Sequence, residues 1–303
     1  MKKLCTLLAA MMLFTLAGCK DATAGISNGS EALITIEGNK ITNGDIYGLI
    51  KTSAGANETL SLIKTQIYKK ENIKVSDAMK KEAEESVKSL KSMYGDSLQD
   101  TLKQYGFDNL EQYKEKSIYP GLQQKELNKK YVKAKKKAMF DSYYPVKAQI
   151  LEADSKKKAE NALKALKDGK DFKAVVKEYG STTTYKGSEE IYNSKSGLPT
   201  TVFDKIKSTN KKGLIESVME DTSSKKYYVV KVTNATPKDF EEDAINSIVE
   251  KASTDIEPAA TAYYLKKYDF TVYDKDIYDG IKSTNESYIC LLYTSPSPRD
   301  GAT

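Results

Sequence analysis

Residues 146–172 have the sequence VKAQILEADSKKKAENALKALKDGKDF, which predicts a strand followed by a helix. Residues 146–151 are a short apolar run typical of a strand, and Ser155 is a favourable helix N-cap. Asp168 and Gly169 end the helix. Its apolar face carries Ala159, Ala162, Leu163 and Leu166, which are spaced three or four residues apart. This segment therefore starts a domain in which helices cover a sheet.

A second helix is predicted directly afterwards, ending at Gly180. Its apolar face carries Phe172, Val175, Val176 and Tyr179. Residues 181–197 are polar, and 199–207 predict a short helix around Phe203. Residues 214–219 and 227–232 predict two strands joined by a polar turn. The order of elements predicts an α+β domain with an antiparallel sheet over residues 143–237.

The flanking segments have helical periodicity. Residues 31–142 begin with a short hairpin, Leu33-Ile34-Thr35-Ile36 and a Gly38-Asn39 turn, and continue as helices. Thr42 with Asp45, and Asp108 with Glu111, have the spacing of capping boxes. We expect Pro120 and Pro258 to kink or interrupt helices. Residues 238–289 are helical again, so we predict one mostly helical domain that carries the α+β domain as an insert.

The first residues have the pattern of an export signal. Lys2-Lys3 precedes an apolar run over residues 4–16, which is shorter than the roughly 20 residues that span a bilayer. The run ends in Leu16-Ala17-Gly18-Cys19, which resembles the lipobox of bacterial lipoproteins. This resemblance implies a signal peptide at 1–18, a lipid on Cys19 and an extracytoplasmic location. The small and polar composition of residues 20–30 predicts a flexible tether after the lipidated cysteine. An ordinary signal peptide with a chance cysteine is the alternative.

The last residues differ in composition from the rest. Residues 290–303 run CLLYTSPSPRDGAT, and the part up to Asp300 resembles the translation of a sequencing adapter. We interpret this tail as non-native.

Composition excludes several classes of function. The chain has no histidine, and its cysteines are Cys5, Cys19 and Cys290, so we expect no metal site, no cofactor and no disulfide framework. The net charge of +6 is modest, and an exported protein does not meet cytosolic nucleic acid. The lysines between 129 and 137 could attract anionic cell-wall polymers or lipid headgroups, or could form the solvated side of a helix.

The order of these features resembles the PrsA-type foldase lipoproteins of Gram-positive bacteria and, more distantly, the SurA-like chaperones. The matching segments are the opening hairpin, Ile73-Lys74-Val75-Ser76-Asp77, Tyr105-Gly106-Phe107, and an insert similar to a parvulin prolyl-isomerase domain. The resemblance implies unfolded exported polypeptides as partners. A homodimer is left open.

Two positions depart from the parvulin pattern. That family places histidines at the positions of Gln149 and Tyr228. The apolar wall that holds the substrate proline is partly kept, in Phe203 and Leu198. The family's cysteine or aspartate has no clean counterpart near residues 186–190, where Glu189 or Glu190 could stand. The resemblance thus assigns Gln149, Phe203 and Tyr228 to degenerate catalytic positions, and Leu198 and Phe203 to substrate binding.

Three functions follow as hypotheses. The first is a membrane-anchored chaperone and foldase with weak or absent isomerase activity. The second is an active peptidyl-prolyl isomerase, which requires Gln149, Phe203 and Tyr228 to converge on one cleft. The third is a solute-binding or adhesive lipoprotein.

Overall fold

The computed structural model describes residues 25–289. The predicted signal peptide at 1–18, the lipidation of Cys19 and the predicted non-native tail at 290–303 lie outside these residues. The described chain divides into two compact units, one of residues 25–72 with 261–289, the other of residues 73–260. The first unit joins an N-terminal and a C-terminal segment, as an insertion requires. The boundaries predicted at 142/143 and 237/238 stay a prediction.

The first unit begins with a hairpin and a long helix. Strands β1 (Ala32–Ile36) and β2 (Asn39–Thr42) pair antiparallel and lead into α1 (Asn43–Lys70). Thr42 and Asp45 form the predicted capping box, in which each side chain bonds the other residue's backbone N–H. Residues 26–30 form a turn, and Gly44 N donates to Gly29 O at 2.8 Å.

Helix α12 (Lys275–Thr284) packs on α1 in the same unit. Small residues permit this close packing, because a Cβ added at Gly280 would lie 2.7 Å from the Cβ of Ala56. Lys51 of α1 reaches across to Asp274, the N-cap of α12, and to Asp276, at 3.2 and 2.7 Å. Burial of small side chains and an ion pair thus hold the two helices together.

The second unit starts with a helical region. Its helices are α2 (Asp77–Tyr94), α3 (Leu98–Gln104), α4 (Leu110–Tyr113), α5 (Tyr119–Ala134) and α6 (Lys136–Tyr143). Pro120 lies in the first turn of α5, directly after a π-helical turn at Lys114–Ile118, so the proline marks a change of helix type within continuous helical backbone. The prediction of a capping box by Asp108 and Glu111 is wrong by one residue. Asn109 is the N-cap, and Gln112 accepts from Asp108 N.

A mixed layer of sheet and helices follows. The sheet contains β3 (Val146–Ala153), β4 (Glu190–Tyr192), β5 (Gly213–Leu214), β6 (Met219–Asp221) and β7 (Lys226–Asn234). Its order is β4-β3-β7-β5, with β6 also on β7, and every pairing is antiparallel. The helices between them are α7 (Lys156–Lys167), α8 (Phe172–Tyr179) and α9 (Thr200–Thr209). The predicted α+β class is confirmed.

The second unit ends with helix α10 (Glu241–Lys251) and the first part of α11 (Ser253–Lys267), whose residues from 261 onward belong to the first unit. One core cluster joins Val132 of α5 to the apolar face of α10 and to Ile256. The predicted interruption at Pro258 is wrong, because α11 continues through it. Proline removes one helix hydrogen bond, and the buried neighbours Ile256 and Ala260 offset this loss. Within the described residues, no helix combines the length and apolar character needed to cross a bilayer.

Candidate functional site

The two long strands β3 and β7 give the candidate site its frame. Their register pairs Ile150 with Val230 and Glu152 with Tyr228. Paired residues in antiparallel strands point to the same face, and successive residues alternate. One face of the sheet therefore meets α9 in a cluster that contains Val146, Ala148, Ile150, Val202, Ile206, Tyr228, Val230 and Val232. The other face meets α7 and α8, through Leu151, Ala153 and Val229.

Tyr228 lies on the α9 side of the sheet. Only 4% of the residue is exposed, and its hydroxyl donates to the Glu152 carboxylate at 3.0 Å. Tyr185 packs edge-on against the ring at 6.2 Å between centroids. Burial raises the pKa of Tyr228, and the bond to Glu152 raises it further, so the phenol stays a proton donor at neutral pH.

A second tyrosine and carboxylate extend this group. The hydroxyl of Tyr192 donates to Glu190 at 3.4 Å, and burial raises the pKa of this phenol as well. Tyr185 is half-buried, and its pKa is raised by burial first and then by Glu152 and Glu190. Three tyrosines and two carboxylates thus form one polar group beside the apolar cluster. The group can donate and accept hydrogen bonds, as a polar binding surface requires.

The predicted apolar wall lies against the same cluster. Leu198 packs on it, and Phe203 of α9 packs edge-on against Tyr144, which also contacts the cluster. The Tyr144 hydroxyl donates to Asn210 Oδ1, the residue that ends α9. The structure therefore brings Leu198 and Tyr228 together, with Phe203 next to them through Tyr144.

Gln149 is engaged elsewhere. Its side-chain amide donates to the carbonyl of Gly187 at 2.7 Å, and its strand partner is Lys231, three residues along β7 from Tyr228. Residues three apart on a strand point to opposite faces. Gln149 therefore holds the 181–189 loop onto β3, whereas Tyr228 binds Glu152. The catalytic and substrate-binding roles assigned to these positions stay predictions.

Sequence reasoning did not find Glu152, Tyr185 or Tyr192. Glu152 had a usable signal, because it lies two residues after Ile150 and so on the same strand face. Tyr185 and Tyr192 lie in the segment that was predicted to be only polar, and their places depend on tertiary packing.

Strand β4 forms one edge of this sheet, and a lysine covers it. The ammonium of Lys251 donates to the carbonyl of Ile191 at 2.5 Å and lies over the ring of Tyr192. Burial lowers the pKa of Lys251. Lys251 belongs to helix α10, which packs next to β4, and an edge strand covered in this way is less able to pair with another strand. Over residues 25–289, no group of three or more acidic, histidine or cysteine side chains is placed to hold a metal ion.

Comparisons with known proteins bear on the family and the fold. A model of the PPIC-type PPIase domain matches residues 122–243. The chain is 30% identical over 295 residues to foldase protein PrsA of Streptococcus agalactiae serotype III (strain NEM316), covering 86% of this chain and 93% of that protein. It is 29% identical over 245 residues to foldase protein PrsA of Streptococcus mutans serotype c, covering 77% and 70%.

A solved structure supports the fold. The crystal structure of foldase protein PrsA from Streptococcus pneumoniae matches with a TM-score of 0.50 and 24% identity, over 86% of this chain and all of that one. The fold and the domain match define a foldase with a parvulin-like domain. The chain belongs to the PrsA foldase family, as the sequence resemblance implied. The family supports a foldase and chaperone function, with polypeptides as its clients.

Proposed function

We propose that this foldase is held at the extracytoplasmic membrane surface by a lipid on Cys19 and has little or no prolyl-isomerase activity. It assists exported polypeptides mainly by binding them while they fold. The low isomerase activity is proposed from the contacts of Gln149 and Tyr228, the two residues that the resemblance assigns to the parvulin histidines. Gln149 bonds a loop carbonyl and Tyr228 bonds Glu152, so each polar group already has a partner.

This arrangement lacks the chemistry of a titratable pair. Prolyl isomerisation has a barrier of about 18–20 kcal/mol from amide resonance, which an apolar pocket lowers by favouring the twisted amide. A phenol with a raised pKa and a carboxamide do not change protonation near neutral pH. Leu198 is half-buried and Phe203 is buried, so Leu198 supplies the accessible apolar contact for segments that contain proline.

A protease-coupled peptide assay tests the catalytic part. We expect the wild-type protein to accelerate cis–trans exchange of an Ala-Pro tetrapeptide little above the uncatalysed rate. In the same preparation it should suppress aggregation of reduced, denatured lysozyme. Phe203→Leu and Leu198→Ala should weaken the suppression, and Tyr105→Ala, on a side chain 75% exposed, serves as a control. Isomerase activity that Phe203→Leu abolishes would instead establish the active-isomerase alternative.

Location and further partners belong to the same proposal. Labelling with a fatty-acid analogue should be lost in Cys19→Ser if the lipid attaches there.

Anionic cell-wall polymers remain a predicted partner of the lysines between positions 129 and 137. Acidic residues lie near several of these lysines, because Lys136 contacts Glu241 at 2.8 Å and Lys137 contacts Asp141 at 2.7 Å. This pairing favours the solvated-helix interpretation. Sedimentation analysis of the purified protein would show whether it forms a homodimer.

A further inference from the structure

Exposed aliphatic side chains are concentrated at the start of the described chain. Among residues 25–289, eight of the thirteen large hydrophobic residues that are markedly exposed fall between residues 26 and 50. They are all leucine or isoleucine: Ile26, Leu33, Ile34, Ile36, Ile41, Ile46, Leu49 and Ile50. Single exposed apolar residues are ordinary, but such a concentration within one short segment indicates a binding surface.

The exposed side chains form two stripes. Ile34 and Ile41 are directly paired across the hairpin, and Ile36 lies two residues further along β1 on the same face. On α1, Ile46, Leu49 and Ile50 follow the spacing of one helical face. We call these six residues the N-terminal apolar surface. Their exposed fractions range from 39% to 64%.

The hairpin has little to cover it within the described chain. All five residues of β1 are exposed, and so are three of the four residues of β2. A two-stranded hairpin is only marginally stable in water unless an apolar face packs against something. An external partner that buries this face would therefore stabilise the hairpin as well as bind to it.

We propose that the N-terminal apolar surface docks on the lipid bilayer. The inference rests on the proposed lipidation of Cys19, because only twelve residues separate that cysteine from Ala32. Such a segment spans at most about 45 Å even when fully extended. A short tether gives the hairpin a high effective concentration at the membrane, so each additional contact needs little affinity of its own.

The chemistry of the surface fits a bilayer interface. Its six side chains are purely aliphatic, and the charged residues between positions 31 and 51 are Glu31, Glu37, Lys40, Asp45 and Lys51, with a net charge of −1. Attraction to anionic headgroups therefore does not drive the docking. Insertion of the aliphatic side chains among the headgroups does, and this fixes the orientation of the first unit on the membrane.

Vesicle flotation tests the docking separately from the anchor. The mature chain, residues 19–303 with Cys19→Ser, is mixed with vesicles of phosphatidylcholine and phosphatidylglycerol at 3:1, and with phosphatidylcholine alone. We expect flotation with both, retained at 0.5 M salt. Ile34→Ser with Ile41→Ser, and Leu49→Ser with Ile50→Ser, should each lower the partition coefficient roughly tenfold or more, since each pair removes several methylene groups from the bilayer. Leu62→Ser with Met93→Ser is the matched control, because these side chains are 68% and 74% exposed outside the surface.

Equal flotation of surface and control variants would overturn the proposal, and so would a failure of the parent to float. A parent dimer that the surface variants convert to monomers would show that a second copy covers the surface instead. Loss of aggregation suppression without loss of flotation would assign the surface to clients. Unchanged thermal unfolding of the variants would exclude a loss of folding as the cause of reduced flotation. Absence of fatty-acid labelling at Cys19 would contradict the proposed lipid anchor. The flotation of the Cys19→Ser protein would still decide whether the N-terminal apolar surface binds the bilayer.

Discussion

The hydroxyl of Tyr228 donates a hydrogen bond to the carboxylate of Glu152, directly across the pairing of β7 and β3. The bond joins a buried phenol to a half-buried acid. It places a charged hydrogen bond within the face of the sheet that meets α9. A bond of this kind contributes about 1.5–3 kcal/mol when the acceptor is ionised.

We predict that Tyr228 and Glu152 are energetically coupled. Tyr228→Phe leaves the carboxylate without its donor and should lower the free energy of unfolding by about 1–2 kcal/mol. In a double-mutant cycle with Glu152→Gln, followed by urea denaturation, we expect a coupling energy of about 1 kcal/mol or more. Tyr227→Phe is the control, because its hydroxyl meets the exposed Glu220 at 3.3 Å and its removal should leave stability unchanged. Additive effects of the two changes would contradict the prediction.

Gly187 should not tolerate a side chain. Its φ is +73°, and an added Cβ would lie 3.0 Å from both Lys173 Cα and Val176 Cγ2. Its carbonyl also accepts the bond from Gln149. Gly187→Ala should therefore cost about 2 kcal/mol or more, because strain and a steric contact act together.

Gly197→Ala separates these two contributions. Gly197 has the same φ of +73°, but nothing lies within 4 Å of its added Cβ. It should cost only about 1 kcal/mol from backbone strain. Thermal unfolding of both variants measures the difference in stability. Equal losses of stability would mean that α8 shifts to accommodate the added Cβ without an energetic cost. Hydrogen exchange in residues 181–189 should rise only in Gly187→Ala.

Local signals predicted the parts of the fold that local chemistry determines. Thr42, Ser76 and Ser155 cap helices because each hydroxyl accepts a backbone N–H three residues on. Strand β4 was missed, because its three residues lie in a polar segment and depend on pairing with β3. The continuation of α11 through Pro258 likewise depends on burial on both sides of the proline.

The candidate site was predictable only in part. The resemblance indicated Leu198, Phe203 and Tyr228, whose surroundings follow from the order of strands and helices. The separation of Gln149 from Tyr228 depends on the register of β3 against β7. A shift of one residue in that register exchanges the two faces, and nothing in either strand alone specifies it.

The last prediction concerns the ion pair between α1 and α12. The side chains of Lys51 and Asp274 are 9% and 11% exposed, and Asp274 also accepts the N–H of Ile277 at the start of α12. Lys51→Met keeps the aliphatic stem but leaves an acid in a largely buried place. We expect a loss of about 3 kcal/mol in unfolding free energy. Lys137→Met, in a pair whose side chains are 92% and 65% exposed, should leave stability unchanged.

The same pair predicts a dependence on alkaline pH. The hydrogen bond to Asp276, followed by Asp274, raises the pKa of Lys51 above its ordinary value of 10.5. The folded state then holds this proton more tightly than the unfolded state does, so the contribution is complete below about pH 10 and is lost as the pH rises through the raised pKa. Urea denaturation at pH 8 and pH 11 should therefore show a smaller decline for Lys51→Met than for the wild type. An identical decline in both proteins would mean that another group governs alkaline unfolding.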